Sequence, residues 1–319
     1  MRWHWHSLSC VNPADGAGPV ETLVSLLRPR TVDSKIISGA GSWSVREAPY
    51  ADPAFCVMLE GSCVLRLDGH DPLDLRGGDF LLVTDMPGFV MASGHDVDAP
   101  SSVSLPASRD VRHGSSSEVV TMRMLGGYFR FEPANASLLV PLLPRIVLVR
   151  RDDPAAARLH RLVGLIGEET SSVTPSALIL ERLVEVLLVD AMRLRASVDG
   201  QQGLLAGLSD SVAAPALRRL HDHIAYGWTV ERLAREAGVS RAVFAERFSR
   251  TVGLAPMQYV QQLRMALARE MLRSSDVSMG EIARRTGYQS ASAFTTAFTR
   301  MTGSSPSAYA RSRRVDLSV

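Results

Sequence analysis

The order of apolar and polar positions divides the chain into stretches of different kinds. Residues 20–30, VETLVSLLRPR, follow helical spacing and end at Pro29. From Gly41 to Phe131 the pattern changes to short apolar runs: SWSVR, AFCVMLE, SCVLRL, DFLLVTD, FVMAS and EVVTMRM. Gly61, Asp68-Gly69, Gly77-Gly78 and Pro87-Gly88 break them. Many short strands at close spacing predict a β-sandwich or a small barrel. Helical spacing returns over 154–196, as LHRLVGLIGEE and, after Pro175, SALILERLVEVLLVDAMRLRA. In the second segment Leu180, Leu183, Val184, Leu187, Leu188 and Ala191 share one face. That face is wide enough to meet both the strand domain and a second subunit. Leu180, Leu183, Val184 and Leu187 are therefore the candidate homodimer residues; packing on the strand domain alone is the alternative. Residues 1–18 show no period and read as a disordered tail. Residues 197–215, rich in Gly, Ser, Gln and Asp, read as a linker with one apolar turn near Leu204.

Between 229 and 309 one pattern is written twice. TVERLAREAGVSRAVFAERFSRTVGLAPMQY is followed by SMGEIARRTGYQSASAFTTAFTRMTGSSPSAY. Phe244, Phe248, Gly253, Pro256 and Tyr259 recur at the same mutual spacing as Phe294, Phe298, Gly303, Pro306 and Tyr309. Thr229 and Ser278 suit helix N-caps, and Ser278 with Glu281 has the form of a capping box. Gly238 and Gly287 stop the first helix of each copy, and Ser240 and Ser290 can start the second. Each copy thus reads as a helix-turn-helix. With the phenylalanines turned inward, the opposite face holds Ala242, Glu246, Ser249 and Arg250, then Ser292, Thr296, Thr299 and Arg300. Arg241, Ala245 and Thr295 flank that face and complete the candidate DNA-contacting set. The bland alternative is two helical hairpins that merely pack together.

Gly287-Tyr288-x-Ser290-x-Ser292-x-Phe294, with Phe298, Gly303, Ser305-Pro306 and Tyr309, resembles the DNA-binding domain of the AraC/XylS family of bacterial transcription regulators. The resemblance covers about a hundred residues, 216–312. It implies two helix-turn-helix units, 229–251 and 278–301, joined by a long helix near Pro256 to Arg273. The chain departs from the family at Thr296, where arginine is frequent, and at the short Ala242 and Ala245. LEGSCVLRLDG with LRGGDFLLVTDMPGFV resembles, less specifically, the cupin-like sensor domain of such regulators. That implies a sensor domain over 19–150, with 151–196 as a helical dimerisation and connector segment. Metal-binding cupins place His-x-His, a glutamate and a later histidine in the barrel. Here no His-x-His stands just before Gly61, and Phe89 occupies the later histidine position. His70, His95 and His113 lie among turn residues and read as surface groups. No metal and no cofactor is expected, and a cupin-type enzyme with an appended helical domain is the competing class.

Charge changes the picture in one respect. The net charge is only +2, but residues 216–319 carry 16 arginines and 8 acidic residues, a net +8. The preceding 215 residues carry 19 basic and 25 acidic groups, a net −6. A basic C-terminal lobe fits a polyanionic partner. Lys35 is the chain's one lysine. An arginine-rich genome is the mundane source of that bias. Three cysteines, Cys10, Cys56 and Cys63, make neither a disulfide framework nor a zinc signature. Cys56 and Cys63 flank the turn Glu60-Gly61-Ser62, where a tight hairpin would set them opposite each other as a redox pair. The alternative is two small buried hydrophobes. The paired His4 and His6 beside Trp3 and Trp5 read as tail rather than metal site. No 18-residue apolar run and no apolar signal region is present, so a cytoplasmic protein is expected.

The reading is an α+β chain: an N-terminal cupin-like β-barrel or sandwich with flanking helices, then an all-α double helix-turn-helix. It predicts a sequence-specific DNA-binding transcription regulator whose partners are double-stranded promoter DNA, RNA polymerase and a small-molecule effector, acting as a homodimer with no membrane partner. A cysteine-based redox-sensing regulator is the further alternative.

Overall fold

The computed structural model describes residues 18–97, 110–194, 202–274 and 277–316. The described residues form two compact units. Those within Pro29–Phe131 and Pro144–Ala196 form one; those within Met1–Arg28, Glu132–Leu143 and Ser197–Val319 form the other.

The first unit is a sandwich of two sheets. Its strands are β1 (Arg30–Ala40), β2 (Ser44–Glu47), β3 (Ala54–Glu60), β4 (Ser62–Leu67), β5 (Leu73–Arg76), β6 (Phe80–Val83), β7 (Phe89–Ala92), β8 (Val111–Gly114), β9 (Met122–Arg130) and β10 (Ile146–Val149). The six-stranded sheet has the order β10-β6-β3-β9-β1-β8, and the four-stranded sheet β2-β7-β4-β5. All pairings are antiparallel except β1 with β8. The uninterrupted run Phe80, Leu81, Leu82 and Val83 is buried throughout, which requires cover on both faces of the strand. Leu81 and Val83 join the core between the sheets. Helices α3 (Ala157–Thr170) and α4 (Ala177–Leu194) pack on the six-stranded sheet, through β3, β1 and β10. Asp190, buried on α4, takes Arg158 Nε of α3 at 3.0 Å.

Leu180, Val184 and Leu187 are buried within this unit, with Val184 and Leu187 fully so. Leu183 is half-buried. The apolar stripe expected to serve a dimer is therefore largely consumed by intrachain packing, and Leu178, Ile179 and Val186 are the exposed large apolar residues of α4.

The turn at Gly61 is not a hairpin between paired strands. β3 belongs to one sheet and β4 to the other, so the turn carries the chain across the sandwich. Gly61 has φ +71°, and a Cβ there would lie 1.9 Å from Thr121 O, so only glycine fits. Asp79 fixes the neighbouring turn. Its carboxylate accepts from Arg76 N at 3.0 Å, Arg151 N at 2.8 Å and Arg150 Nη1 at 3.1 Å, while the residue is 2% exposed.

The second unit gathers α1 (Pro19–Leu27), α2 (Pro133–Leu139), α5 (Leu204–Ser209), α6 (Ala213–Asp222), α7 (Val230–Glu236), α8 (Arg241–Val252), α9 (Pro256–Ser274), α10 (Met279–Arg285), α11 (Ala291–Thr302) and α12 (Pro306–Asp316). The expected 19–150 domain is thus not one body. α1 and α2 pack on α9, and α1 also on α5 and α6. Arg28 pairs with Glu270, Arg269 donates to Ala134 O, and Asn135 Nδ2 donates to Leu26 O at 2.9 Å. The expected linker 197–215 is corrected over its described part. Leu204 and Leu205 of α5 are buried, and Gly207 sits so close that a Cβ would meet Leu217 Cδ1 at 2.7 Å and Val252 Cγ2 at 2.8 Å. Residues 197–201 and the tail segment 1–17, with Cys10 and the Trp-His stretch, lie outside the described residues.

His221 of α6 is buried and shares a 2.7 Å hydrogen bond with Tyr259 Oη of α9. Burial pushes its pKa down to about 3. An unfolded histidine titrates near 6.5, so below that pH the unfolded chain binds a proton that the folded chain refuses. Stability is therefore lost as pH falls from about 6.5 towards 3. Between pH 7 and pH 5 this group should remove about 2 kcal/mol. Denaturant unfolding at the two pH values is expected to show that loss in the wild type and a loss smaller by this amount in His221→Gln; equal losses would refute the assignment.

Candidate nucleic-acid interface

The two copies of the sequence pattern fold alike. In each, a hydroxyl caps the first helix: Thr229 Oγ1 accepts from Arg232 N at 3.2 Å, and Ser278 Oγ from Glu281 N at 3.2 Å. Ser240 and Ser290 cap α8 and α11 through Val243 N and Ala293 N. The capping box at Ser278 is half formed, because the Glu281 carboxylate accepts from Arg284 and Arg285. Those two arginines hold its pKa down to about 2. Gly238 and Gly287 turn the chain at φ +67° and +77°. A Cβ on Gly287 would also lie 2.7 Å from Ala225 O, so side chain and conformation are both barred.

Phe244 and Phe248 lie inward with ring centroids 5.4 Å apart, and Tyr259 of α9 meets Phe248 edge-on at 5.8 Å. Phe294, Phe298 and Tyr309 repeat this at 5.6 Å and 5.6 Å. The first unit thus docks on the start of α9. The second docks further along it, against Met265, Ala268 and Leu272. Arg264 of α9 bridges them. It donates to Ile224 O and Tyr226 O at 3.0 and 2.7 Å and lies 6.0 Å from the centre of the Tyr288 ring.

The outward sides of α8 and α11 hold most of the expected DNA-contacting set. Arg241, Ala242, Glu246 and Arg250 are exposed on α8, with Ala245 and Ser249 half-buried. Ser292, Thr296, Thr299 and Arg300 are exposed on α11. Thr295 is half-buried and its hydroxyl donates to Ala291 O at 2.7 Å, so it is spent within the helix. Arg241 Nε lies 2.9 Å from Glu231, and Arg250 Nη1 lies 3.6 Å from Glu246. Both pairs are exposed, so phosphate can compete for either arginine. The repeat did not single out Arg247, which pairs with Asp210 Oδ2 at 2.6 Å. Asp210 is raised by burial, but hydrogen bonds from Ala213 N, Arg247 and Val212 N leave its pKa below the usual range. It thereby clamps α8 to the start of α6.

In the sandwich, a cavity of about 430 Å³ lies between the sheets. Its walls include Ile37, Leu75, Leu81, Met91 and Met124, and Phe89 also lines it. His113 is not a surface group: it is half-buried, lines the cavity and stacks on Trp43 at 5.4 Å. Burial, and then Lys35, lowers its pKa. His70 is exposed, and His95 is exposed and paired with Asp74 at 2.7 Å. Among the described residues no three His, Cys, Asp or Glu side chains gather as a metal site. Sequence reasoning passed over Asp33, Lys35 and Glu47, which line the cavity with Tyr50, Asp52 and Tyr128. The signal was present in the alternation Asp33, Lys35, Ile37 along β1, where polar residues share a face with a core one.

Cys56 and Cys63 are free thiols facing the same core from opposing sheets. Cys56 Sγ lies 3.2 Å from Met124 Sδ. Burial raises the Cys63 thiol to about 12 and the Cys56 thiol well above its usual range. At neutral pH neither supplies much thiolate, the species that oxidants attack.

Comparison with known proteins divides the chain in two along the sequence, with α1 and α2 on the cupin side. The family described as cupin matches residues 19–197, and a helix-turn-helix domain family matches 233–312. A relative from Streptomyces antibioticus described as an AraC-like transcription regulator is 35% identical over 300 residues, covering 91% of this chain and 97% of its own. One from Streptomyces lividans is 36% identical over 299 residues, again covering 91% and 97%. The DNA-binding domain of AdpA, solved with a target DNA, is 36% identical, covering 34% of this chain and 96% of its own, with a TM-score of 0.32. Among the described residues no helix is long and apolar enough to cross a membrane.

The thiol chemistry is directly measurable. In a Cys10→Ser variant at pH 7.5, Ellman's reagent is expected to find no fast-reacting thiol in the native protein and two after denaturation. Rapid native labelling of Cys56 or Cys63 would reject this and restore the redox reading.

Proposed function

The chain belongs to the AraC-like transcription regulators, and from that premise we propose a division of labour among its parts. α8 and α11 are the two recognition helices, entering successive major grooves about 34 Å apart on one side of the duplex. Arg250 and Arg300 contact phosphates, and Glu246 reads a base. The sandwich cavity receives an effector, and two copies of the chain bind through α3 and α4 to occupy a two-site operator in the cytoplasm. The bound regulator then alters transcription through contact with RNA polymerase. The observation that carries the DNA assignment is the repeated unit itself: two capped, exposed helices packed on one long helix, the first through Phe248 on Tyr259 and the second through Phe294 and Phe298 on Met265, Ala268 and Leu272.

The effector reading rests on the cavity and on how the chain leaves it. β1 and β9 both line it, and their neighbours in sequence are α1 and α2, which pack on α9. The dimer reading shifts from the buried stripe to the outer one. Ile179, Leu183 and Val186 follow one another along α4, and Leu165 is exposed on α3. Exposed aliphatic side chains in a row favour cover by a second copy.

Two measurements test these roles. Arg250→Ala and Arg300→Ala should weaken specific and random DNA alike, each lowering the salt slope by about one unit. Glu246→Ala should relax one base pair by roughly 1–3 kcal/mol while non-specific affinity holds or rises, since a carboxylate can accept from cytosine N4. If selection from a random DNA library returns the same motif for wild type and Glu246→Ala, Glu246 merely orients Arg250. For assembly, Ile179→Asp and Val186→Asp should give folded monomers by light scattering. Leu187→Asp should fail to fold, being buried. Unchanged mass in both folded variants would reject the dimer surface.

A further inference from the structure

The cavity between the sheets is apolar on most of its wall and strongly unbalanced in charge on the rest. Three carboxylates, Asp33, Glu47 and Asp52, line it with a single ammonium, Lys35. All four side chains are half-buried, and among the described residues none of them makes a side-chain hydrogen bond or ion pair. Tyr50 and Tyr128 bring two aromatic rings to the same lining. Tyr50 is 39% exposed, which places the polar lining where the cavity meets solvent. The local field is negative. Burial, then Glu47, Asp52 and Tyr128, push the Tyr50 hydroxyl up to about 12. Burial raises the Glu47 carboxyl although Lys35 opposes it.

Charges at the edge of a low-dielectric cavity interact more strongly than in water and are costly while unpaired. A ligand with an anionic head would meet three like charges and one opposite charge. A neutral head would leave the imbalance untouched. A cationic head would meet unpaired carboxylates and two aromatic residues, whose rings can favour cations independently. We propose that this cavity takes a small organic amine: an apolar or aromatic body between the sheets, with a protonated nitrogen among Glu47, Asp52 and the two tyrosines. Lys35 is the residue that limits affinity for such a ligand, because it competes for the same carboxylates. The inference rests on the effector reading given above and adds the ligand's chemical class to it.

The test is a matched trio that differs only in the head group. Full-length protein is titrated calorimetrically with 4-phenylbutylamine, 4-phenylbutanol and 4-phenylbutyrate. The amine is expected to bind at least tenfold more tightly than either of the others. Glu47→Gln with Asp52→Asn should lose that tenfold while alcohol binding stays, and Glu47→Gln alone should lose part of it. Lys35→Met should tighten the amine, and Met91→Trp, which fills the cavity, should abolish binding. An acid or alcohol that binds as well as the amine, or an amine affinity unchanged in the double variant, overturns the ligand class. Absence of binding by all three overturns it too. Amine binding that leaves operator affinity unchanged leaves the class standing and overturns the effector reading instead.

Discussion

Everything in the DNA-binding unit depends on one helix serving two masters. α9 presents Tyr259 to Phe248 near its start and Met265, Ala268 and Leu272 to Phe294 and Phe298 further on. The two helix-turn-helix units are too small to bury their own aromatic pairs, so each completes its core on α9. A rigid helix rises about 1.5 Å per residue, so the separation of the two docking sites is set by sequence distance along it. Arg264 adds a polar tie, joining Ile224 and Tyr226 on one side to Tyr288 on the other. Two helices held in this way keep a fixed spacing, rather than being independently tethered.

Buried carboxylates do comparable work elsewhere, each with its partners supplied. Asp79 takes two backbone N–H groups and Arg150; Asp190 takes Arg158; Asp210 takes two N–H groups and Arg247. Burying a carboxylate is expensive unless such donors are in place. Asp33, Glu47 and Asp52 differ: they are half-buried, line a cavity, and make no side-chain hydrogen bond or ion pair among the described residues. Stability does not require that arrangement, and three unpaired carboxylates beside one lysine oppose it. A cavity ligand of opposite charge gives the contrast a physical purpose.

What could be read from the sequence was what local rules decide. Caps at Thr229, Ser240, Ser278 and Ser290, stops at Gly238 and Gly287, and inward phenylalanines four residues apart each follow from a few neighbouring residues. The long α9 was implied by the family resemblance. What escaped was set by distant partners. The stripe of Leu180, Val184 and Leu187 announces a buried face but not what buries it, and the answer is the chain's own sheet. Glu60-Gly61-Ser62 looks like a hairpin because strand spacing cannot tell pairing within a sheet from a crossing between sheets. Residues 197–215 have a linker's composition, yet Leu204, Leu205 and the Asp210 clamp fold the described part of them onto α6 and α8. Nothing local to VETLVSLL says that α1 belongs with a helix ending at Ser274. Arg28 and Glu270 are 242 positions apart.

That long-range attachment has a counterpart in the hydrogen bonds between the segments that follow β9 and precede β1. β1 and β9 are adjacent in the six-stranded sheet, with Arg30 opposite Arg130 at the end of the ladder. The hydrogen bonding does not stop there. Glu132 N donates to Leu27 O at 2.8 Å, and Asn135 Nδ2 to Leu26 O at 2.9 Å. The two strands that line the cavity therefore leave it as a bonded pair and continue as a bonded pair of helices. Those helices are fixed to α9 by Arg28 on Glu270 and Arg269 on Ala134. The β1–β9 ladder runs from Arg30 opposite Arg130 to Gly39 opposite Met122, with one register shift between Thr31 and Asp33. The hydrogen bonds of α1 and α2 end on the same helix that carries Tyr259 and Met265.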